Sequence, residues 1–121
     1  LHRVEPQPNN GWAAVRRWMA ARGWVVEHEA MVEDRRHFYV VLGVRPHAGP
    51  APDWSEDELR LGPHLLRRRS PSFQAWLHHE LRRAERALQR AGGRAAAGDL
   101  GVEALRAHAA RLRRALATSA S

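Results

Sequence analysis

A strand-like run, Leu1-His2-Arg3-Val4-Glu5-Pro6, breaks at Gln7-Pro8-Asn9-Asn10, and a helix with one apolar face follows. Two further strand-like segments come next. This order of strand, turn, helix and paired strands reads as the back end of an α/β sheet whose front end lies elsewhere. The chain is therefore expected to be a fragment of a longer protein. Cofactor chemistry in such sheets is usually carried by the opening strands.

The spacing predicts the elements in turn. Trp12, Val15, Trp18 and Met19 recur at three- and four-residue steps, so they define the apolar face of the first helix. Arg16, Arg17 and Arg22 are expected off that face. Gly23 fits the position past the helix end, where a left-handed backbone costs little. A strand runs from Trp24 towards Val32, Glu33-Asp34-Arg35-Arg36 forms a charged turn, and His37–Val44 makes a second strand. Joined so closely, the two form an antiparallel hairpin. The second is apolar on both faces, which places it inside the sheet.

Residues 46–71 are rich in Pro and Gly and read as a connector. Within it, Ser55-Glu56-Asp57-Glu58 is a capping box that opens a short helix ended by Gly62-Pro63. Ser70 caps a further helix with Pro71 at its first position. In residues 72–121, Leu77, Leu81, Ala84, Leu88 and Ala91 follow heptad spacing, as do Val102, Leu105, Ala109, Leu112 and Leu116. A glycine-rich link lies between them, so the pair is expected to be an antiparallel helical hairpin of coiled-coil type. The domain reading is thus a sheet portion over 1–45, the connector, and the hairpin.

All 20 basic residues are Arg, and the net charge is +7. A GC-rich genome accounts for the absence of Lys, but the physical consequence stands. Arg offers a planar fork that pairs with phosphate through two bonds, and this balance favours a polyanion, nucleic acid first. Arg67, Arg68, Arg69, Arg82, Arg83, Arg86 and Arg90 form a basic face with few acidic partners, repeated by Arg106, Arg111, Arg113 and Arg114. The plainer reading of such a face is a solvated coiled-coil surface. Cysteine is absent, which excludes disulfides and thiolate chemistry. The eight histidines form no i, i+4 pair, so no metal site is expected. No apolar run reaches the roughly 18–20 residues that span a bilayer, and the chain is expected to be soluble and cytoplasmic.

Two groups invite a chemical reading. Gln7, Pro8 and Asn9 stand where a strand gives way to a helix, and ligands of open α/β sheets bind beyond the carboxyl ends of strands. Amide side chains there can match the donor and acceptor of an adenine edge; equally, Asn9 or Asn10 can cap the helix. Glu27, Glu29, Glu33 and Asp34 cluster about the hairpin, with Asp34 and Tyr39 the candidates for chemistry and solvated strand edges the plainer explanation.

The order of these pieces resembles the C-terminal half of the bacterial tRNA (adenine(22)-N1)-methyltransferase family, TrmK. The resemblance rests on Gln7-Pro8-Asn9, Arg16 and Trp18 on the helix, Gly23 with its aromatic, Glu33-Asp34 before an aromatic strand, Gly62-Pro63 followed by Leu65-Leu66, and the closing helices. It implies a Rossmann-like class I methyltransferase sheet that binds S-adenosylmethionine, with strands five, six and seven here. Strand seven would lie between the other two. It further implies tRNA as partner, with Gln7, Pro8 and Asn9 near the target base, and Glu33, Asp34 and Tyr39 as further site candidates. Arg16, Arg17 and the Arg67–Arg69, Arg82, Arg83, Arg86 and Arg90 set would contact RNA. The glycine-rich cofactor loop and the acidic residue for the ribose are absent from these residues, so the piece alone is expected to be inactive. A non-catalytic RNA-binding or coiled-coil adaptor derived from such an enzyme is the alternative, and the hairpin could instead mediate protein pairing.

Overall fold

The structure is a computed structural model that describes residues 2–4, 11–46, 53–92 and 100–118. It divides into two compact units, Leu1–Phe73 and Gln74–Ser121.

The first unit is built on a three-stranded sheet of β1 (His2–Val4), β2 (Trp24–Asp34) and β3 (His37–Pro46), in the order β1-β3-β2. Both pairings are antiparallel. The apolar run His37–Val44 therefore lies centrally, as its pattern predicts, and Val40 and Leu42 are buried. The hairpin is tighter than expected. Asp34 still pairs with His37, so the loop is Arg35-Arg36 alone, and both residues have positive φ, 51° and 69°. That is the left-handed pair demanded by a type I′ turn, whose twist matches that of the strands.

β2 is irregular. Val26 faces Val44 and His28 faces Gly43, so Glu27 is an extra residue on one strand. Such a bulge shifts the alternation by one. Val26, Glu29 and Met31 are consequently buried together, although 26 and 29 would otherwise lie on opposite faces.

Helix α1 (Gly11–Ala21) ends as expected, with Gly23 at φ 76°. Its buried face differs from the one that hydrophobicity predicts. Trp12, Ala13 and Arg16 are buried, while Trp18 is 56% exposed. Trp18 is instead covered by the Arg22 guanidinium, 4.5 Å from its ring centroid. The residues read as a connector carry α2 (Glu56–Leu61) and α3 (Pro63–Arg68). The capping box on α2 is complete: the Glu58 amide donates to Ser55 Oγ, and the Ser55 amide donates to Glu58 Oε1. Leu61 and Leu65 are buried, each worth about 1.5–3 kcal/mol relative to exposure.

Helix α4 (Pro71–Ala91) begins where the Ser70-Pro71 pair predicts, with the Phe73 amide donating to Ser70 Oγ at 3.2 Å. In the second unit, α4 is joined to α5 (Leu100–Ala117) by a contact between His108 Nε2 and Glu80 Oε2 at 3.4 Å and by an ion pair from Arg113 to Glu85. Leu77, Ala84, Ala109 and Leu112 are buried, as are Glu80, Arg111 and Ala115. Among the described residues no helix is long and apolar enough to cross a membrane.

Candidate nucleic-acid interface

The arginines fall into two kinds once their surroundings are known. Arg16 belongs to the interior. It is 2% exposed, its Nε and Nη2 both donate to Glu29 Oε2 at 2.9 and 2.7 Å, and its Nη1 donates to the Leu59 carbonyl at 2.7 Å. Glu29 is fully buried, and its second oxygen accepts from the His64 and Leu65 amides at 2.8 and 3.2 Å. One ion pair therefore ties α1, β2, α2 and α3 together. A buried pair of this kind holds only when its remaining donors and acceptors are satisfied, and here they are. Gly62 completes the knot at φ 102°: a Cβ there would lie 2.7 Å from Glu29 Oε1 and 2.8 Å from Arg16 Nη2.

This overturns the expectation that Arg16 contacts RNA, because its guanidinium is enclosed and each of its three nitrogens already has a partner. Arg69 is likewise enclosed: it is 8% exposed and ends α3 in a left-handed conformation. Of the other expected contacts, Arg17 is exposed but bonded to Glu56 at 2.6 Å. Arg68 donates to the Glu29 carbonyl, and Arg83 pairs with Glu80 at 3.0 Å.

Arg67, Arg82, Arg86 and Arg90 are exposed and have no partner among the described residues. Three of them recur at i, i+4 and i+8 on α4, a stripe with about 6 Å between successive residues along the axis. Like charges at that spacing destabilise a helix by a few tenths of a kcal/mol per pair, so the stripe is not explained by helix stability. It can take an extended anion through forked, charge-assisted bonds.

The catalytic candidates are less concentrated. Gln7, Pro8 and Asn9 lie outside the described residues. Asp34 is exposed at the end of β2, and Tyr39 is half-buried opposite Val32 on β3. Of the acids around the hairpin, Glu29 is structural and Glu27 pairs with Arg45 at 3.0 Å. A cavity of about 10 Å³ lined by Trp12, Val15, Arg16, Val40 and Leu42 is water-sized, far below the roughly 300–1,000 Å³ of a ligand pocket. Among the described residues no group of three or more His, Cys, Asp or Glu is placed to hold a metal ion.

Comparison with known proteins now decides the lineage. The family model described as tRNA (adenine(22)-N(1))-methyltransferase, TrmK, matches residues 2–110. The chain belongs to this family. A Mycoplasma pneumoniae protein with a provisional tRNA methyltransferase name is 33% identical over 60 residues, covering 50% of this chain and 28% of the relative. An uncharacterised Listeria monocytogenes protein has the same fold, with TM-score 0.78 and 19% identity over 94% of this chain and 50% of its own. A Streptococcus pneumoniae protein solved with S-adenosyl-L-methionine gives TM-score 0.72 and 22% identity over 94% of this chain and 46% of its own. The chain thus spans about half the length of these solved relatives.

Proposed function

We propose that this chain is the substrate-side portion of an S-adenosylmethionine-dependent tRNA adenine-N1 methyltransferase, and that α4 is an arm that holds tRNA. Family membership supports the reaction class. The observation that carries the arm is the stripe of Arg82, Arg86 and Arg90, which has no partner among the described residues. On this reading β1, β2 and β3 are strands five, six and seven of the Rossmann-like sheet, and α4 and α5 form the antiparallel hairpin.

S-adenosylmethionine supplies an electrophilic methyl group when bound. The described residues offer no cavity for it, so we assign its binding to the part of the relatives' length that this chain does not span. What this chain contributes is position. Adenine must present an unprotonated N1, and orienting it accounts for much of the rate. Gln7, Pro8 and Asn9 are assigned to the base edge, with Asp34 and Tyr39 bordering the site. The target must leave its stack or occupy a loop to be reached. The residues described here are expected to transfer no methyl group by themselves. The enzyme would act in the cytoplasm.

The test uses the enzyme containing this chain, with N1-methyladenine in tRNA measured by mass spectrometry. Replacing Arg82, Arg86 and Arg90 together by Gln is expected to raise KM for tRNA and leave kcat nearly unchanged. The slope of log affinity against log salt should fall by about 2–3. An unchanged KM and slope would remove the arm from RNA recognition. Salt-dependent RNA binding with no methyl transfer by the unaltered protein would favour the adaptor instead.

A further inference from the structure

Resting on the tRNA reading above, we propose a second RNA contact at the hairpin tip, where Arg35 and Arg36 grip the phosphates flanking the target nucleotide. Three observations converge on it.

The first is conformational. A type I′ turn favours Asn-Gly because both central residues need positive φ. Arg35 and Arg36 occupy those positions at 51° and 69°. Unlike Asn or Asp, Arg has no short polar side chain to offset a left-handed backbone by local hydrogen bonding. The turn needs this backbone, but two arginines in succession carry strain there that Asn-Gly would not.

The second is chemical. Both residues are exposed and have no partner among the described residues, although Glu33 and Asp34 immediately precede them. The neighbouring carboxylates do not capture the guanidiniums, which stay available for phosphate forks.

The third is topological. Along β1, His2 faces Leu42 and Val4 faces Val40, so β1 runs towards the end of β3 that carries the tip. His37 lies three residues beyond the level of Val4, or about 10 Å along the strand. The tip therefore extends past the carboxyl end of β1, the end at which open α/β sheets bind ligands. In sequence, Gln7, Pro8 and Asn9 follow that same end of β1. His37 and Tyr39, with ring centroids 6.4 Å apart, lie next along β3. Aromatic rings beside paired arginines suit nucleotides better than an acidic peptide.

The test compares two variants of the whole enzyme. R35N/R36G keeps the turn geometry and removes the charge; R35K/R36K keeps the charge. Binding of unmodified tRNA is measured over a salt series, with thermal melting as the control for folding. R35N/R36G is expected to melt at or above the parent temperature, bind tRNA about tenfold more weakly at low salt, and lose about 1.5–2 from the salt slope. R35K/R36K should keep the slope. A folded R35N/R36G protein with parental affinity and slope overturns the tip contact. Because binding is read without methyl transfer, that result leaves the arm and the reaction standing. If the unaltered protein shows no salt-dependent tRNA binding, both proposals fall.

Discussion

Arg16 sits at 2% exposure with its guanidinium shared between Glu29 and the Leu59 carbonyl, whereas Arg82, Arg86 and Arg90 stand exposed at four-residue steps on α4 with no partner among the described residues. The side chain is the same and the surroundings are opposite. In the first unit the charge is desolvated, and every bond it makes joins one element to another. On α4 the charges stay hydrated, and their mutual repulsion is slightly unfavourable to the helix. A basic composition therefore says little about how many arginines can meet a partner. The number available depends on which of them the fold encloses.

The sharpest way to break this contrast is to truncate one arginine of each kind. Arg16→Ala leaves the Glu29 carboxylate buried without its cation, and breaking a buried pair from one side costs about 3–5 kcal/mol. Arg86→Ala should change stability by no more than about 0.5 kcal/mol, as expected for an exposed position. Urea unfolding of the two variants measures both. Equal losses would mean that the buried pair does not hold the first unit together. An apolar swap, Arg16→Met with Glu29→Leu, should not recover the loss. It would orphan the His64 and Leu65 amides that Glu29 accepts from, and unpaired buried amides carry their full desolvation penalty.

Gly62→Ala tests the same knot by shape instead of charge. At φ 102° an L side chain is strained, and the added Cβ would press on both Glu29 Oε1 and Arg16 Nη2. The left-handed backbone alone costs about 1–3 kcal/mol, and the steric push adds to it. The loss should be read as a lower denaturant midpoint with an unchanged m-value. A midpoint equal to the parent's would show that the loop before α3 can relax away from the ion pair.

Local signals in the sequence anticipated much of this fold, and long-range ones anticipated little. The capping box at Ser55, the Ser70-Pro71 start of α4 and the Gly23 stop of α1 each depend on residues within a turn of one another. Each was legible for that reason. The central place of β3 was legible too, because a strand apolar on both faces has few other positions. The Glu29 knot was not. Its burial depends on the bulge at Glu27, which turns a residue that alternation would send outward onto the inner face. Once Glu29 is inside, Arg16 follows it and Trp18 is left out, so the apolar stripe drawn from hydrophobicity was rotated from the real one. The same dependence takes Arg16 out of the RNA-facing set. The two-residue turn was hidden because Arg-Arg is a poor match to the residues that signal it.

Glu56 offers the smallest and finest test of the contrast, since it lies between the two extremes. It is exposed yet pairs with both Arg17 and Arg60 at 2.6 Å. Hydrogen bonds from Arg60 and then Arg17 hold its carboxyl below the ordinary value of 4.5, against a small opposing effect of burial. A carboxylate whose folded pKa is depressed adds stability above its unfolded pKa. That contribution is lost as pH falls through the folded value. Glu56→Gln should therefore lower stability at neutral pH, and the difference should vanish in acid. Solvent screening limits the loss to about 0.3–0.5 kcal/mol, and 1 M salt should remove most of it. Chemical denaturation at pH 7 and near pH 3, each with and without salt, measures all four values. A loss that persists in salt and acid would place Glu56 with the enclosed network of Arg16, and the division between enclosed and solvated arginines would have to be drawn beyond Arg17.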